Sequence, residues 1–444
     1  MEQLGYKTHL IGKICSARTY SVKEVFSFEE MNRKAKSSAI GKLKLENFAD
    51  YERRQIQENV LKNRPILLTS WEVEDISNNC SQVVDENMLD SDLHTTKESI
   101  YVISKKRQLR YGISSQKGYY LYNEERENQD TFLVCETHAP GANPFKWFSI
   151  FDGHGPEGHR CSQFVADYLP KTFENKLCTS PLDNSTPMLL AECFSNAQQN
   201  LVSGNAVECS RSGTTATSML VASDGTFLVA NLGDSSCIVG TRQHDGEVLG
   251  RQLTTSHDLS CKEELERVKR AGAEVMSFEE KEGLESVSNP VLRVWHADPE
   301  KSAGTTFTRS IGDTLAHDLG VISHPEITEH SIGNDDVIFI LCSDGVTKWI
   351  DPTSCCSIAK KITNPSKAAE AIVKEARKMW SKKSDYMDDV TAIVIFVEDT
   401  EEREKHSKRG THAFFWTFFA GAASGFLGKL EMKCKFLMTL LTLL

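Results

Sequence analysis

Between about residues 100 and 397 the chain alternates short apolar runs with amphipathic stretches. The runs 131–135, 147–151, 337–342 and 390–397 have the length and β-branched or aromatic content of buried strands. Runs 216–222 and 227–231 flank Ser223-Asp224-Gly225, and the Asp-Gly step predicts a hairpin turn. Helical spacing appears three times: at Phe164, Val165, Tyr168 and Leu169; at Leu189, Leu190, Cys193, Phe194 and Ala197; and at Ala368, Ile372, Val373, Ala376 and Trp380. Strands in succession, then two helices, then more strands predict an α+β fold. The sheets would be antiparallel and covered by helices, not a strict βαβ alternation. No GxGxxG or GxxxxGK[ST] loop supports a doubly wound nucleotide-binding fold.

The pattern divides the chain into four zones. Residues 1–75 are charged and helix-prone, most clearly at 28–63, and read as a regulatory arm or a packed helix. Residues 76–99 are polar with little periodicity, as in a linker. Residues 100–398 form the folded domain, and 399–444 are a charged, then apolar, tail. Within the tail, 413–428 carries no charge but falls short of the ~20 residues that span a bilayer. Three readings stand for it: a tail anchor, an interfacial helix, and a segment folded back on the domain. Lys405, Lys408 and Arg409 would favour contact with anionic lipid.

Composition narrows the partners. A net charge of −11 argues against nucleic acid, which is bound through clustered Lys and Arg. Thirteen scattered cysteines without a CxxC pair read as reduced thiols, not zinc ligands or a disulfide framework. The start of the chain, interrupted by Lys7, His9 and Lys13, does not read as a signal peptide. A cytoplasmic location is expected, with the nucleus as an alternative.

The chemistry lies in aspartates at the ends of apolar runs. Asp130 precedes one; Asp152, Asp234 and Asp344 follow others; Asp313 closes RSIGD; Asp388 and Asp389 precede the last. A strand ending in Asp fixes a carboxylate at the rim of a rigid sheet. Several converging rims would offer oxygen ligands to Mg²⁺ or Mn²⁺. A single such Asp is an ordinary turn former.

DGHG at 152–155, SGTTA at 212–216, GDSS at 233–236, RSIGD at 309–313, CSDG at 342–345 and DDVT at 388–391 resemble, in order, the motifs of metal-dependent Ser/Thr protein phosphatases of the 2C type. RENQD at 126–130 is similar to the family's first motif, and the segment from Leu253-Thr254 to Val275 resembles another of its stretches. The resemblance implies a central β-sandwich of two antiparallel sheets flanked by pairs of helices, a binuclear site for Mg²⁺ or Mn²⁺ at one end, and phosphoprotein substrates. By motif, Asp152 would bridge two ions and the Gly153 carbonyl would add a ligand. Asp344 and Asp388 would complete the first ion's shell, with Asp130 supporting the second. Water activated by two metals would attack phosphorus in line, and His154 would be the general acid for the leaving alkoxide. Cys161 and Cys342 read as packing residues.

Three positions depart from the family pattern. Gln129 stands where a ligand Glu is common. Glu125 occupies the usual place of a phosphate-binding Arg, so Arg126 is either its substitute or a surface charge. Lys348 stands where an acidic residue helps hold a third ion with Asp234, so either a third site is weak or absent, or Lys348 points to solvent at a helix start. Asp313 reads as either a second-shell group or a turn former. The acidic stretch 278–303 is a candidate flap that would select basic phosphopeptides, or an ordinary solvated loop. These departures leave an alternative to the enzyme: a phosphatase-like binding or scaffold module with little turnover. A membrane-anchored adaptor, resting only on the tail, is a third reading.

Overall fold

The structure, a computed structural model, describes residues 93–399 apart from 105, 121–125, 138–143, 180–185, 205–206, 285–289, 299–300 and 302–303. The expected helix at 28–63, most of the linker, Glu125 and the apolar tail lie outside the described residues.

In chain order come β1 (Leu93–Thr95), β2 (Ser99–Val102), β3 (Arg107–Gln116), β4 (Asp130–Thr137) and β5 (Phe145–His154). Helices α1 (Gly158–Thr179) and α2 (Thr186–Ser203) follow. Then come β6 (Gly213–Thr214), β7 (Ala216–Ala222), β8 (Thr226–Leu232), β9 (Ser236–Arg242), β10 (Val248–Gln252) and helix α3 (Lys262–Arg270). Strand β11 (Glu274–Ser277), the turn-length helix α4 (Phe278–Lys281), β12 (Leu292–Trp295), β13 (Ile311–Gly312) and the short α5 (Thr314–His317) form the next stretch. The last elements are β14 (Glu326–Ser331), β15 (Asp336–Cys342), the short α6 (Asp344–Thr347), α7 (Pro352–Lys360), α8 (Pro365–Lys383) and β16 (Val390–Asp399).

Two seven-stranded sheets result. One has the order β1-β3-β16-β15-β9-β10 with β2 on β3; the other has β13-β6-β5-β7-β8-β14 with β4 on β5. Strands β11 and β12 pair separately. All of these strand pairings are antiparallel, as the order of the apolar runs predicts.

The central strands are apolar on both faces because both faces are covered. On β5, Phe148 and Ile150 meet Phe339, Leu341, Ile393 and Ile395 of the opposite sheet. Trp147 and Phe151 point the other way, into Val165, Leu169 and Phe173 of α1 and Phe194 of α2. Strands β15 and β16 repeat the division, with Ile340 and Val394 packed against Ile372, Val373 and Trp380 of α8. The layers are therefore helices, sheet, sheet, helices. Proline at the first turn and a side-chain cap start both outer helices. The Asp351 carboxylate accepts from Ser354 N, and the Asn364 amide oxygen accepts from Lys367 N. At the predicted hairpin, Gly225 has φ +86°, a conformation that suits glycine.

One boundary differs. Leu93–Thr95, inside the expected linker, is a strand whose residues pair with Ser114–Gln116. The His94 ring stacks on Phe132 at 5.8 Å, and the Thr95 and Ser114 hydroxyls lie 3.2 Å apart. A short edge strand is held by ladder hydrogen bonds and a few side-chain contacts, so it needs no apolar period.

Candidate active site

Antiparallel order puts the end of one strand beside the start of its neighbour, and this gathers the motif aspartates. Asp130 opens β4 directly opposite Asp152 near the end of β5. Asp344 follows β15 and Asp388 precedes β16, and these strands pair Cys342 with Ala392, so both carboxylates leave the same end. Asp234 follows β8, whose Leu232 pairs with Ala216 of the SGTTA motif. Asp130 and Asp389 are buried; Asp152, Asp234, Asp344 and Asp388 are half-buried.

Their charges oppose one another. Burial, then the Coulombic effect of Asp389, pushes the Asp130 carboxyl up to about 8. Burial first, then Asp130, Asp344, Asp388 and Asp234, hold Asp152 well above the ordinary carboxyl range. Burial, Asp388 and Asp234 do the same to Asp344, with Lys348 opposing them. Four carboxylates that each disfavour the ionised form of a neighbour make a site suited to a cation.

Asp388 and Asp389, adjacent in the DDVT motif, have different surroundings. Asp389 points inward and accepts from Gly118 N at 2.6 Å and Gln129 N at 2.9 Å, pinning the approach to β4. Asp388 stays at the rim and accepts from the Tyr120 hydroxyl at 2.5 Å. Ser343 Oγ donates to Asp130 Oδ2 at 2.8 Å while accepting from Thr391 N at 3.1 Å. The serine of CSDG thus joins the last motif to the first.

Gln129 is placed inward, 1% exposed. Its Oε1 accepts from Arg126, and its Nε2 donates to the Gly155 carbonyl at 2.7 Å. The amide braces two loops, which accounts for a neutral donor–acceptor here in place of a carboxylate. Arg126 is buried, its guanidinium 4.1 Å from the Tyr120 ring centroid, and it is therefore not a surface charge.

His154 closes the site from the β5 end. Its Nε2 lies 2.6 Å from Asp313 Oδ2, and its ring packs on Phe307 with centroids 4.2 Å apart. Asp313, a second-shell group or a turn former by sequence, accepts from Ser310 Oγ at 2.6 Å and lies against His154 Nε2. Lys348 is exposed; its N–H bonds the Asp344 carbonyl at 2.8 Å. Of the flap glutamates, Glu279 is buried and Glu280 closes a capping box with Ser277, so neither is set up to select a substrate. Cys161 and Cys342 are fully buried packing residues, their thiols pushed up by burial.

Sequence reasoning missed Tyr120, Ser343 and Phe307. Ser343 could have been found from its place beside Asp344; the other two carry no local signal.

The family profile described as "Protein phosphatase 2C" matches residues 121–385, more than half of the chain. The chain belongs to the protein phosphatase 2C family. "Probable protein phosphatase 2C 35" of Arabidopsis thaliana is 29% identical over 313 residues, covering 68% of this chain and 87% of the relative. "Probable protein phosphatase 2C 12" of Oryza sativa subsp. japonica is 28% identical over 357 residues, covering 69% and 89%. The fold is similar to that of a serine-threonine phosphatase 2C from Toxoplasma gondii, with TM-score 0.54, 18% identity, and 69% and 99% of the two chains covered. It is also similar to a C. elegans sex determining protein, with TM-score 0.51, 20% identity, and 83% and 80% covered.

The donor set fits the hard divalent ions on which 2C-type phosphatases generally depend. Asp130 Oδ1 is buried without a hydrogen-bond partner, and the carboxylates around it repel one another. Oxygen-only donors of this kind suit Mg²⁺ or Mn²⁺. Among the described residues no group of three His, Cys, Asp or Glu side chains is drawn together closely enough to hold a metal ion. Among the described residues, too, no helix is long and apolar enough to cross a membrane.

Proposed function

We propose that the protein hydrolyses phosphoserine and phosphothreonine in proteins, using two divalent metal ions. The observation that carries this reading is the rim itself: carboxylates from motifs more than 250 residues apart in sequence meet at one end of two sheets, where their mutual repulsion calls for a cation. Asp130, Asp152, the Gly153 carbonyl, Asp344 and Asp388 would hold the ions. When bound, such ions supply a water of lowered pKa and neutralise phosphoryl charge.

The chain's own groups do the rest. Rigid strand ends fix the carboxylates, so little reorganisation accompanies reaction. His154 gives a proton to the departing serine or threonine oxygen, which is too basic to leave as an alkoxide. Phe307 covers one side of that imidazole and limits water around it. Arg126, set in place by Tyr120 and Gln129, would add a phosphate contact. Lys348 lies near enough to Asp344 to weaken any third ion beside Asp234.

Phosphate release from a phosphothreonine peptide by the full chain tests the reading. Release with Mn²⁺ or Mg²⁺ that EDTA abolishes is expected; no release with either metal from folded protein would overturn it.

A further inference from the structure

His154 and Asp313 come from motifs 159 positions apart, and three adjacent strands bring them together. His154 ends β5 and pairs with Gly213 of β6, which pairs in turn with Gly312 of β13; Asp313 is the next residue. Gly213 must be glycine for this contact to exist. A Cβ on Gly213 would lie 2.2 Å from Asp313 Oδ2 and 2.6 Å from the Ile311 carbonyl. Asp313 has φ +43°, the one positive value among the described non-glycine residues. That conformation is unfavourable for a residue with a Cβ and persists only where its surroundings enforce it. Here Asp313 N donates to the Ser212 carbonyl at 2.9 Å, and Ser310 Oγ donates to Oδ2 at 2.6 Å. The carboxylate is 1% exposed.

We propose that Asp313 is the positioning residue of His154: it accepts the Nε2–H and so leaves Nδ1 as the nitrogen that presents a proton to the leaving group. This rests on the phosphatase reading and deepens it. A carboxylate can only accept, so the 2.6 Å contact places a hydrogen on Nε2. The second proton of the imidazolium then sits on Nδ1, as a carboxylate fixes the tautomer in other histidine-based sites. In the step, a water oxygen bonds to phosphorus and the bond from phosphorus to the substrate oxygen breaks. The substrate oxygen takes the Nδ1 proton, and the imidazole keeps Nε2–H against Asp313. One water proton stays on the phosphate and the other restores Nδ1–H. Phe307 on the ring face holds the same orientation by packing.

The test compares two substrates of the full chain with Mg²⁺. A phosphoserine peptide needs a proton on its leaving group, whereas p-nitrophenyl phosphate releases a stable phenolate. Asp313→Asn should lower kcat on the peptide about 100-fold and depress the aryl ester at least tenfold less. Gly213→Ala, which must displace the same carboxylate, should show the same split. Parallel loss on both substrates, or no loss on either, would overturn the role of Asp313. Wild-type protein inactive on both would overturn the phosphatase reading and this role with it. Ring nitrogen NMR shifts give a readout independent of turnover. His154, assigned by its loss in His154→Gln, should as the neutral ring keep its hydrogen on Nε2 in wild type and divide it between the two nitrogens in Asp313→Asn. An unchanged tautomer would contradict the proposal.

Discussion

Asp130 and Asp152 are direct cross-strand partners on β4 and β5, and the Asp130 carboxylate raises the affinity of Asp152 for a proton. Like charges opposite one another destabilise a strand pair, so this register costs stability unless a cation intervenes. Asp130→Asn should therefore raise the Tm of the metal-free protein by a few degrees. It should also shrink the stabilisation that wild type gains on adding Mn²⁺, about 2.7 kcal/mol at a hundredfold excess over Kd. Thermal unfolding with EDTA and with Mn²⁺ checks both. A lower metal-free Tm in the variant would contradict the repulsion.

Gln129 bridges Arg126 and the Gly155 carbonyl by accepting with one atom and donating with the other. Gln129→Glu restores the family's usual carboxylate but replaces the donor with an oxygen facing Gly155 O. An unsatisfied buried group costs about 1–3 kcal/mol. The variant should unfold at lower temperature in EDTA, as calorimetry would show.

Glu264 ties α3 to the RSIGD loop. Its carboxylate accepts from Arg267 at 2.7 Å, Arg309 at 2.9 Å and Thr308. Burial alone would raise its pKa, but these donors outweigh it and hold the carboxyl at about 2, below its ordinary 4.5. Between those values the unfolded chain binds more protons than the folded one. The stabilisation is thus complete above about pH 4.5 and is lost as pH falls toward 2. It amounts to at most about 3 kcal/mol, reduced by solvent screening. The Tm gap between wild type and Glu264→Gln should be widest near pH 7 and narrow steadily below pH 4.5.

Lys348 is exposed, yet its charge favours the ionised form of Asp344. If it weakens a third ion, Lys348→Asp should add a millimolar phase to the Mn²⁺ dependence of turnover and raise kcat severalfold. An unchanged Mn²⁺ titration would leave Lys348 as a solvent-facing residue.

Much of this was legible in the sequence because the relevant patterns are local. The apolar runs at 147–151 and 337–342 marked strands buried on both faces, and the aspartates after them marked the rim. What stayed hidden depends on pairing over long separations. Nothing near Asp313 shows that β6 will carry it to His154, nor that Phe307 will cover the ring. The DDVT motif singled out Asp388, but the inward turn of Asp389 depends on the amides of Gly118 and Gln129, 271 and 260 positions away. Leu93–Thr95 escaped notice because an edge strand needs no apolar alternation.

The most direct test is the turnover of a phosphothreonine peptide by the full chain and by Asp152→Asn, both at saturating Mn²⁺. The carboxylate rim as the seat of chemistry predicts steady release by wild type and a loss of at least 10³-fold in the folded variant, on the scale of removing a central catalytic group. Release by Asp152→Asn at the wild-type rate would contradict it.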